Sequence, residues 1–391
     1  MASRSSRSTK RKADESSNNV VSLSNSQVVT EPKQPKSDAA VTENAASDVP
    51  SIDLTANGDG TTHAVVRKKL SHCLSVDPVP LQPGKDPSQA VNIAVSSRAL
   101  FDTGINYDWT EEPGKFSDYL DGIMRTEADP FPPGAAFPFI QALSQVNKCL
   151  LAINPTEQER FNVILMSHNH AHVGIKLINS INHHALYIER MCLTGGATPV
   201  PHYLEAYNVS LFLTSYPNEV EKALECGFAA AALSNQEVKD SVSEELRVAF
   251  DLDAVLFSAE SEVHYKTGGL KAFFKHEKAN RNKLVEEGPL KKFAQALGRM
   301  QKKFNDNPDI VKKSPIKVYV VTARSAASSG ERAIKTLRAW GIRIDEIHFL
   351  AGAPKGPILN AIQPHIFFDD QHTHIDSAKK YGISAAQVGG E

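Results

Sequence analysis

Cysteine is scarce in this chain, and what there is lies scattered. Cys73, Cys149, Cys192 and Cys226 are the four in 391 residues, and no two stand at CxxC spacing. That argues against a disulfide frame or a zinc cluster and points to a reducing compartment. A surplus of charge of either sign is missing too, with a formal net charge of −2. A near-neutral chain gives no global electrostatic case for a nucleic-acid partner. No apolar run approaches the ~20 residues that a membrane span needs, and the N-terminus has no apolar signal-peptide core. These absences predict a soluble cytoplasmic protein with no membrane and no nucleic-acid partner. A homo-oligomer stays compatible with them.

Apolar residues are sparse in the first part of the chain. Residues 1–88 are rich in Ser, Asn, Lys, Asp and Thr, then in Pro, with no sustained period. Such a segment cannot bury enough apolar surface to offset its ordering entropy, so a disordered arm and linker is expected there. Lys10-Arg11-Lys12 reads as part of a solvated tail rather than as an import signal. Folding is expected to begin near Val91.

Beyond this arm the chain repeats itself. Gly134 to Leu143 resembles Gly288 to Leu297, and FNVILMS from Phe161 resembles IKVYVVT from Ile316. Leu193-Thr194-Gly195-Gly196 resembles Leu350-Ala351-Gly352-Ala353, and VSLFLT from Val209 resembles IFFDD from Ile366. The offset stays at about 155 residues throughout, which chance apolar similarity would not give. Strands alternate with helical stretches in both copies, the pattern of a parallel sheet. The expected fold is therefore α/β, with two tandem Rossmann-like units forming a pseudo-dimer over residues 89–245 and 246–391. In the second unit, Ser328 to Trp340 reads as a helix that stops at Gly341, with Glu331, Lys335 and Arg338 on its solvent face.

Groups suited to phosphoryl transfer stand after strand-like runs of the second unit only. They are Asp251 and Asp253, Thr322, Lys355 in a Gly-Ala-Pro-Lys-Gly turn, and Asp369-Asp370. An open α/β sheet gathers such strand ends into one crevice. A carboxylate nucleophile splits ester hydrolysis into two easier displacements, which suits Asp251. Asp253, two residues on, faces the same way if the chain turns, and can protonate the leaving oxygen and then deprotonate water. Anionic phosphate and carboxylates need a hard cation between them, and Mg2+ prefers one or two carboxylates plus substrate oxygens and waters. Candidate metal groups are Asp251, Asp253 through its main-chain carbonyl, and one of Asp369 and Asp370. The other of that pair would hold Lys355. Thr322 and Lys355 would meet the remaining phosphoryl oxygens, beside Ala323 and Arg324. In the first unit Ser96 and Arg98 match the two aspartates, Ser167 matches Thr322, Thr198 matches Lys355, and Leu213 and Thr214 match Asp369-Asp370. That unit is expected to carry no second active centre, and to complete the fold and wall the pocket.

Each piece alone has a plainer reading: a turn for Asp-x-Asp, a helix cap for the threonine, a solvated turn for the lysine. The set in this order is harder to dismiss. With its surrounding strings it resembles the cytosolic 5′-nucleotidase type I family of the haloacid dehalogenase (HAD) superfamily. The strings are FDLDAVLFS from Phe250, VTARSAASSG from Val321, FLAGAPKGPIL from Phe349 and HIFFDDQ from His365. In the first unit IAVSSRALF, NHAHVG, LINSINH and TGG join them, so the resemblance covers roughly three quarters of the chain. It implies magnesium-dependent hydrolysis of nucleoside 5′-monophosphates, AMP prominently. It also implies Asp251 as nucleophile, Asp253 as acid/base, Thr322 and Lys355 as phosphate ligands, and Asp370 ahead of Asp369 as the metal carboxylate.

Two features invite further expectations. His168, His170 and His172 alternate, but they fall past a strand end, where alternation no longer keeps one face, so packing and pocket lining are favoured over a metal site. Asn169 and His170, mirroring Arg324 and Ser325, are the expected pocket residues. The insertion at about 258–287 is expected to form a cap. There Phe273, Phe274 and His276 would meet a base, and Lys275, Lys278 and Arg281 a phosphate, unless it is only a charged amphipathic helix. The rivals are a phosphatase of the same chemistry acting on another monoester, and a non-catalytic nucleotide-binding scaffold.

Overall fold

Runs such as VNIAVS and IFFD place buried side chains at consecutive positions, so both faces of the strand must be covered. In the computed structural model, which describes residues 87–104, 115–195, 200–234, 236, 244–306 and 314–389, they are inner strands of a single sheet. The expected arm lies outside the described residues up to position 86.

In chain order the first elements are β1 Val91–Ser96, α1 Phe116–Arg125, α2 Phe137–Ile153, β2 Phe161–Ser167, α3 Gly174–His183, β3 Arg190–Leu193, α4 Val200–Ala206, β4 Val209–Thr214, α5 Pro217–Glu225 and β5 Ala230–Leu233. There follow β6 Leu246–Phe250, α6 Glu260–Ala279, α7 Lys291–Asn305, β7 Ile316–Thr322, α8 Glu331–Ala339, β8 Glu346–Phe349, α9 Gly356–Ile362, β9 Ile366–Asp369, α10 His372–Lys379 and β10 Ala385–Gln387. The second ten keep the order of the first. Thr214 ends β4 as Asp369 ends β9, which shifts the sequence pairing of Leu213 with Asp369 by one residue.

The sheet order is β3-β2-β1-β4-β5-β10-β9-β6-β7-β8. Neighbours are parallel within each half. β5 and β10 meet antiparallel, Leu233 opposite Ala386 and Ala232 opposite Gln387. This joint reverses one half against the other. The carboxyl ends of β6, β7 and β9 therefore lie along one edge of the sheet, and those of β1, β2 and β4 along the opposite edge.

Helices cover both faces. On α2 the buried residues Phe139, Leu143, Val146 and Leu150 recur at helical spacing, as do Phe293, Leu297, Met300 and Phe304 on α7. One core runs along the whole sheet beneath α2, α3, α7 and α8. Phe139 meets Phe293 edge to face at 6.5 Å, and Phe293 meets Phe250 and Phe368 at 6.2 Å each. The opposite face has two smaller cores, under α4 and α5 and under α9 and α10.

Where the chain crosses from strand one to helix in each half, a glycine is required. A Cβ on Gly134 would lie 2.9 Å from the backbone of Ala99, Leu100 and Phe101, and one on Gly288 would lie 2.3 Å from the Phe257 carbonyl. The helix expected from Ser328 is shorter than read: Ala326–Gly330 forms a wider irregular turn, and α8 proper starts at Glu331. Its stop at Gly341 is as read, with φ at +67°. α6 is no straight rod. Ser261 Oγ donates to Glu277 Oε1 at 2.6 Å across 16 residues, a stretch that a straight helix would extend over about 24 Å. Gly269, at φ +63° and ψ −165°, breaks the helix into two arms, and His264 stacks on His276 at 4.1 Å between them.

Candidate active site

The strand order makes β6 the place where the second half switches direction, with β9 on one side and β7 on the other. Crevices at such switch points are where open α/β sheets bind ligands. Asp251 follows β6, and its backbone N–H donates to the Phe368 carbonyl at 2.8 Å, tying it to β9. The chain then turns sharply through Leu252–Leu256, with Ala254 left-handed at φ +56°. A non-glycine residue holds that conformation at a cost of about 1–3 kcal/mol, which surrounding structure must offset.

Lys355 stands at the centre. Its side chain, which sequence alone would leave solvated, is fully buried. Its ammonium lies 2.6 Å from Asp369 Oδ2 and 2.9 Å from Asp251 Oδ1. The Asp251 contact is an ion pair off hydrogen-bond geometry. Asp369 is fully engaged, its Oδ1 accepting from the Gln371 N–H at 2.9 Å and contacting His374 Nδ1 at 3.1 Å. Asp370 differs: its Oδ1 is buried and has no hydrogen-bond partner. Asp251, Asp369 and Asp370 each bring a carboxylate oxygen within 4.8 Å of the others, an acid group close enough to share a cation.

The electrostatics follow from this crowding. Burial pushes the Asp251 carboxyl up to about 6, against the pull of Lys355 and with help from Asp369 and Asp253. Burial, then Asp251 and Asp369, push Asp370 up to about 8. Burial also opposes the charge on Asp369, but Lys355 and His374 prevail and hold it below the usual carboxylate range. Lys355 is likewise raised by Asp251 and Asp369 in spite of its burial. One ammonium cannot serve three carboxylates.

Thr322 is buried at the end of β7, and its Oγ1 accepts from the Arg324 N–H at 3.2 Å. Ala323 is exposed, and its carbonyl accepts from Gly352 at 3.0 Å. Arg324, read from sequence as a substrate contact, is turned into the protein. Its Nε and Nη2 donate to Asp253 Oδ2 and Oδ1 at 2.8 and 2.6 Å, and its Nη1 donates to Glu277 at 3.1 Å. In the insertion after β6, Phe273 lies 5.6 Å beneath the Arg324 guanidinium, while Phe274, Lys275, Lys278 and Arg281 are exposed.

Asn169 and His170 need correcting. They follow β2, whose carboxyl end lies on the edge opposite Asp251, so they do not wall this pocket. Asn169 instead bonds Ser97, Ser167 and Tyr119, all of the first half. His168 pairs with Glu219, and the His170 and His172 rings sit 4.6 Å apart. Glu277, Arg332 and His374 escaped the sequence reading. Glu277 and Arg332 meet partners dozens of residues away, and no spacing signals that. His374, one turn into the helix after Asp369-Asp370, was the legible one.

A family model described as 5′-nucleotidase matches residues 84–390. Human cytosolic 5′-nucleotidase 1B is 47% identical over 302 residues, covering 77% of this chain and 49% of its own length. The chain thus spans about half the length of that curated relative. A solved Thermotoga maritima chain described as a beta-phosphoglucomutase is 16% identical over 36% of this chain and 83% of its own. Its TM-score is 0.20. On the family match and the identity to the human protein, this chain belongs to the 5′-nucleotidase family.

Proposed function

We propose that the chain is a magnesium-dependent 5′-nucleotidase, releasing nucleoside and phosphate from nucleoside 5′-monophosphates, AMP first among them. The observation that carries the reading is the charge imbalance of the site. Asp251, Asp369 and Asp370 set three carboxylates against the one ammonium of Lys355, and a divalent cation matches the difference. The donor set fits Mg2+, which takes few protein carboxylates and keeps waters. Asp251 and Asp370 would hold it, with the Asp253 carbonyl, while Asp369 anchors Lys355. When bound, the ion supplies the positive charge that lets an anionic phosphate approach anionic carboxylates.

An Asp251 oxygen attacks phosphorus, and the bond to the ester oxygen breaks. That oxygen takes a proton from Asp253 and leaves as the nucleoside hydroxyl. Water then attacks the aspartyl-phosphate, gives its proton to the Asp253 carboxylate, and frees inorganic phosphate and Asp251. Thr322 and Lys355 hold the equatorial oxygens, where most of the acceleration of phosphoryl transfer arises.

The same reading makes the two halves tandem HAD-like units, the first without catalysis, and makes α6 a small cap. The human relative is named as a cytosolic enzyme, and that name supports a cytoplasmic setting for this chain. Among the described residues no helix is long and apolar enough to cross a membrane. The test is phosphate release from ribo- and deoxyribonucleoside monophosphates, with Mg2+ and with chelator. Release indifferent to the base would favour another phosphomonoester. No release from any would leave a nucleotide-binding scaffold.

A further inference from the structure

A second charged cluster lies under the cap, joined to the catalytic turn by one residue. Glu277, on the returning arm of α6, is 1% exposed. It accepts from Arg324 Nη1 at 3.1 Å, from Arg332 Nη1 at 2.9 Å and from Ser261 Oγ at 2.6 Å. Arg332 is anchored independently, by Glu260 at 2.6 Å and by the Lys283 carbonyl at 2.9 Å. Arg324 is not. It spends two N–H groups on Asp253, one on Glu277 and one on Ser261 Oγ at 3.1 Å. Four of the five donors a guanidinium offers are thus directed into the protein, which leaves little for a substrate phosphate.

Both oxygens of Asp253 are taken by this one guanidinium. To reach an ester oxygen, the carboxylate has to give up at least one of those bonds. How readily it does so depends on what else neutralises Arg324 in a buried place, where an uncompensated charge is strongly disfavoured. Glu277 is the other carboxylate on that guanidinium. We propose that Glu277 is a positioning residue for Asp253, acting through Arg324: by sharing the guanidinium it loosens the grip on Asp253 and lets that carboxyl group, carrying a proton, turn to the leaving oxygen and donate it. The cap thereby reaches the chemistry without touching the phosphate. This rests on the nucleotidase reading, in which Asp253 is the acid/base.

The experiment compares kcat/KM for a nucleoside monophosphate and for p-nitrophenyl phosphate in the full chain, as wild type, Glu277→Gln and Ser261→Ala. The nucleoside leaves as a poor alkoxide and needs a proton, whereas nitrophenolate leaves without one. Because kcat/KM stops at the first irreversible step, it does not include hydrolysis of the aspartyl-phosphate. In Glu277→Gln, Arg324 is left with Asp253 as its one full charge partner. The nucleotide value is expected to fall about 30-fold and the nitrophenyl value less than about threefold. Ser261→Ala keeps every charge and is expected to show the same selectivity at about threefold, so it decides the matter if Glu277→Gln does not fold. Equal loss on both substrates in a folded variant, or loss on neither, overturns the inference while the nucleotidase reading stands. A wild type that releases phosphate from neither ester overturns both.

Discussion

Asp370→Asn removes one titratable carboxyl from the acid group without disturbing Lys355, whose contacts are Asp251 and Asp369. Asp370 is pushed up to about 8 by burial and by Asp251 and Asp369. A folded value above the unfolded one means that the protonated form is favoured in the native state. Its contribution to stability is complete below about pH 4 and is lost as pH rises toward 8. Within that window the slope is about 1.4 kcal/mol per pH unit. Asp251, at about 6, adds a slope of the same sign, but only below that pH. Between pH 6.5 and 8 the loss therefore belongs to Asp370, and amounts to about 2 kcal/mol in chelator. A cation requires the ionised carboxylate, so binding at pH 7 is expected to expel close to one proton. Urea unfolding across that pH range measures the slope, and calorimetric Mg2+ titration in buffers of different ionisation enthalpy counts the proton. Asp370→Asn is expected to flatten the slope and abolish most of the proton release. A wild type with no slope, or a variant that still expels a full proton, would refute the assignment of Asp370.

Asp251→Asn is expected to lower turnover by a factor on the order of 10³ or more while leaving the melting temperature near wild type, and activity within tenfold would sink the nucleophile assignment. His365, lowered to about 4 by burial and by Arg247, is neutral in the native state, so its stability contribution is complete above about pH 6.5 and is lost toward pH 4. His365→Asn keeps an acceptor for the Arg247 N–H, bonded at 3.0 Å in the native chain, and is expected to remove about 3 kcal/mol of acid sensitivity, read by unfolding at pH 7 and pH 4.5. The isolated segment from Leu246 to Glu391 holds every proposed catalytic residue but bares β10 and the Phe293 face, so it is expected to be poorly soluble or weakly active; a soluble, fully active fragment would contradict the shared core.

The strands and the order of the acid groups were legible because they depend on local facts. Consecutive apolar residues at Ile316–Thr322 or Ile366–Asp369 have few alternatives to a buried parallel strand. Lys355 was legible as a motif member, yet its full burial was not, since a Gly/Pro turn normally faces water. The placement of Asn169 and His170 failed for a different reason. The repeat alignment paired them with the strand-end position of Arg324, but sequence similarity between halves does not say how the halves join. A parallel joint would have put both strand-end sets on one edge, whereas the antiparallel meeting of β5 and β10 puts them on opposite edges. Arg324 shows a third limit. A buried guanidinium between Asp253 and Glu277 depends on a hairpin turn at Gly269, and that turn reads as ordinary helix interior.

The role left to the first half comes from the core rather than from the pocket. Phe250 and Phe368 immediately precede the segments that carry Asp251 and Asp369, and they stack at 5.3 Å. Phe293 lies against both, and Phe139 of α2 lies against Phe293. The distance between the Asp251 and Asp369 carboxylates, and hence the fit of Lys355 between them, is thus set from behind by a side chain of the first half. Packed aromatic contacts of this kind transmit strain, because an interior at crystal-like density has little room to absorb a shift. On the proposed reading, the first half acts by holding the registry of β6 and β9, and among the described residues its strand ends lie on the edge of the sheet opposite Asp251.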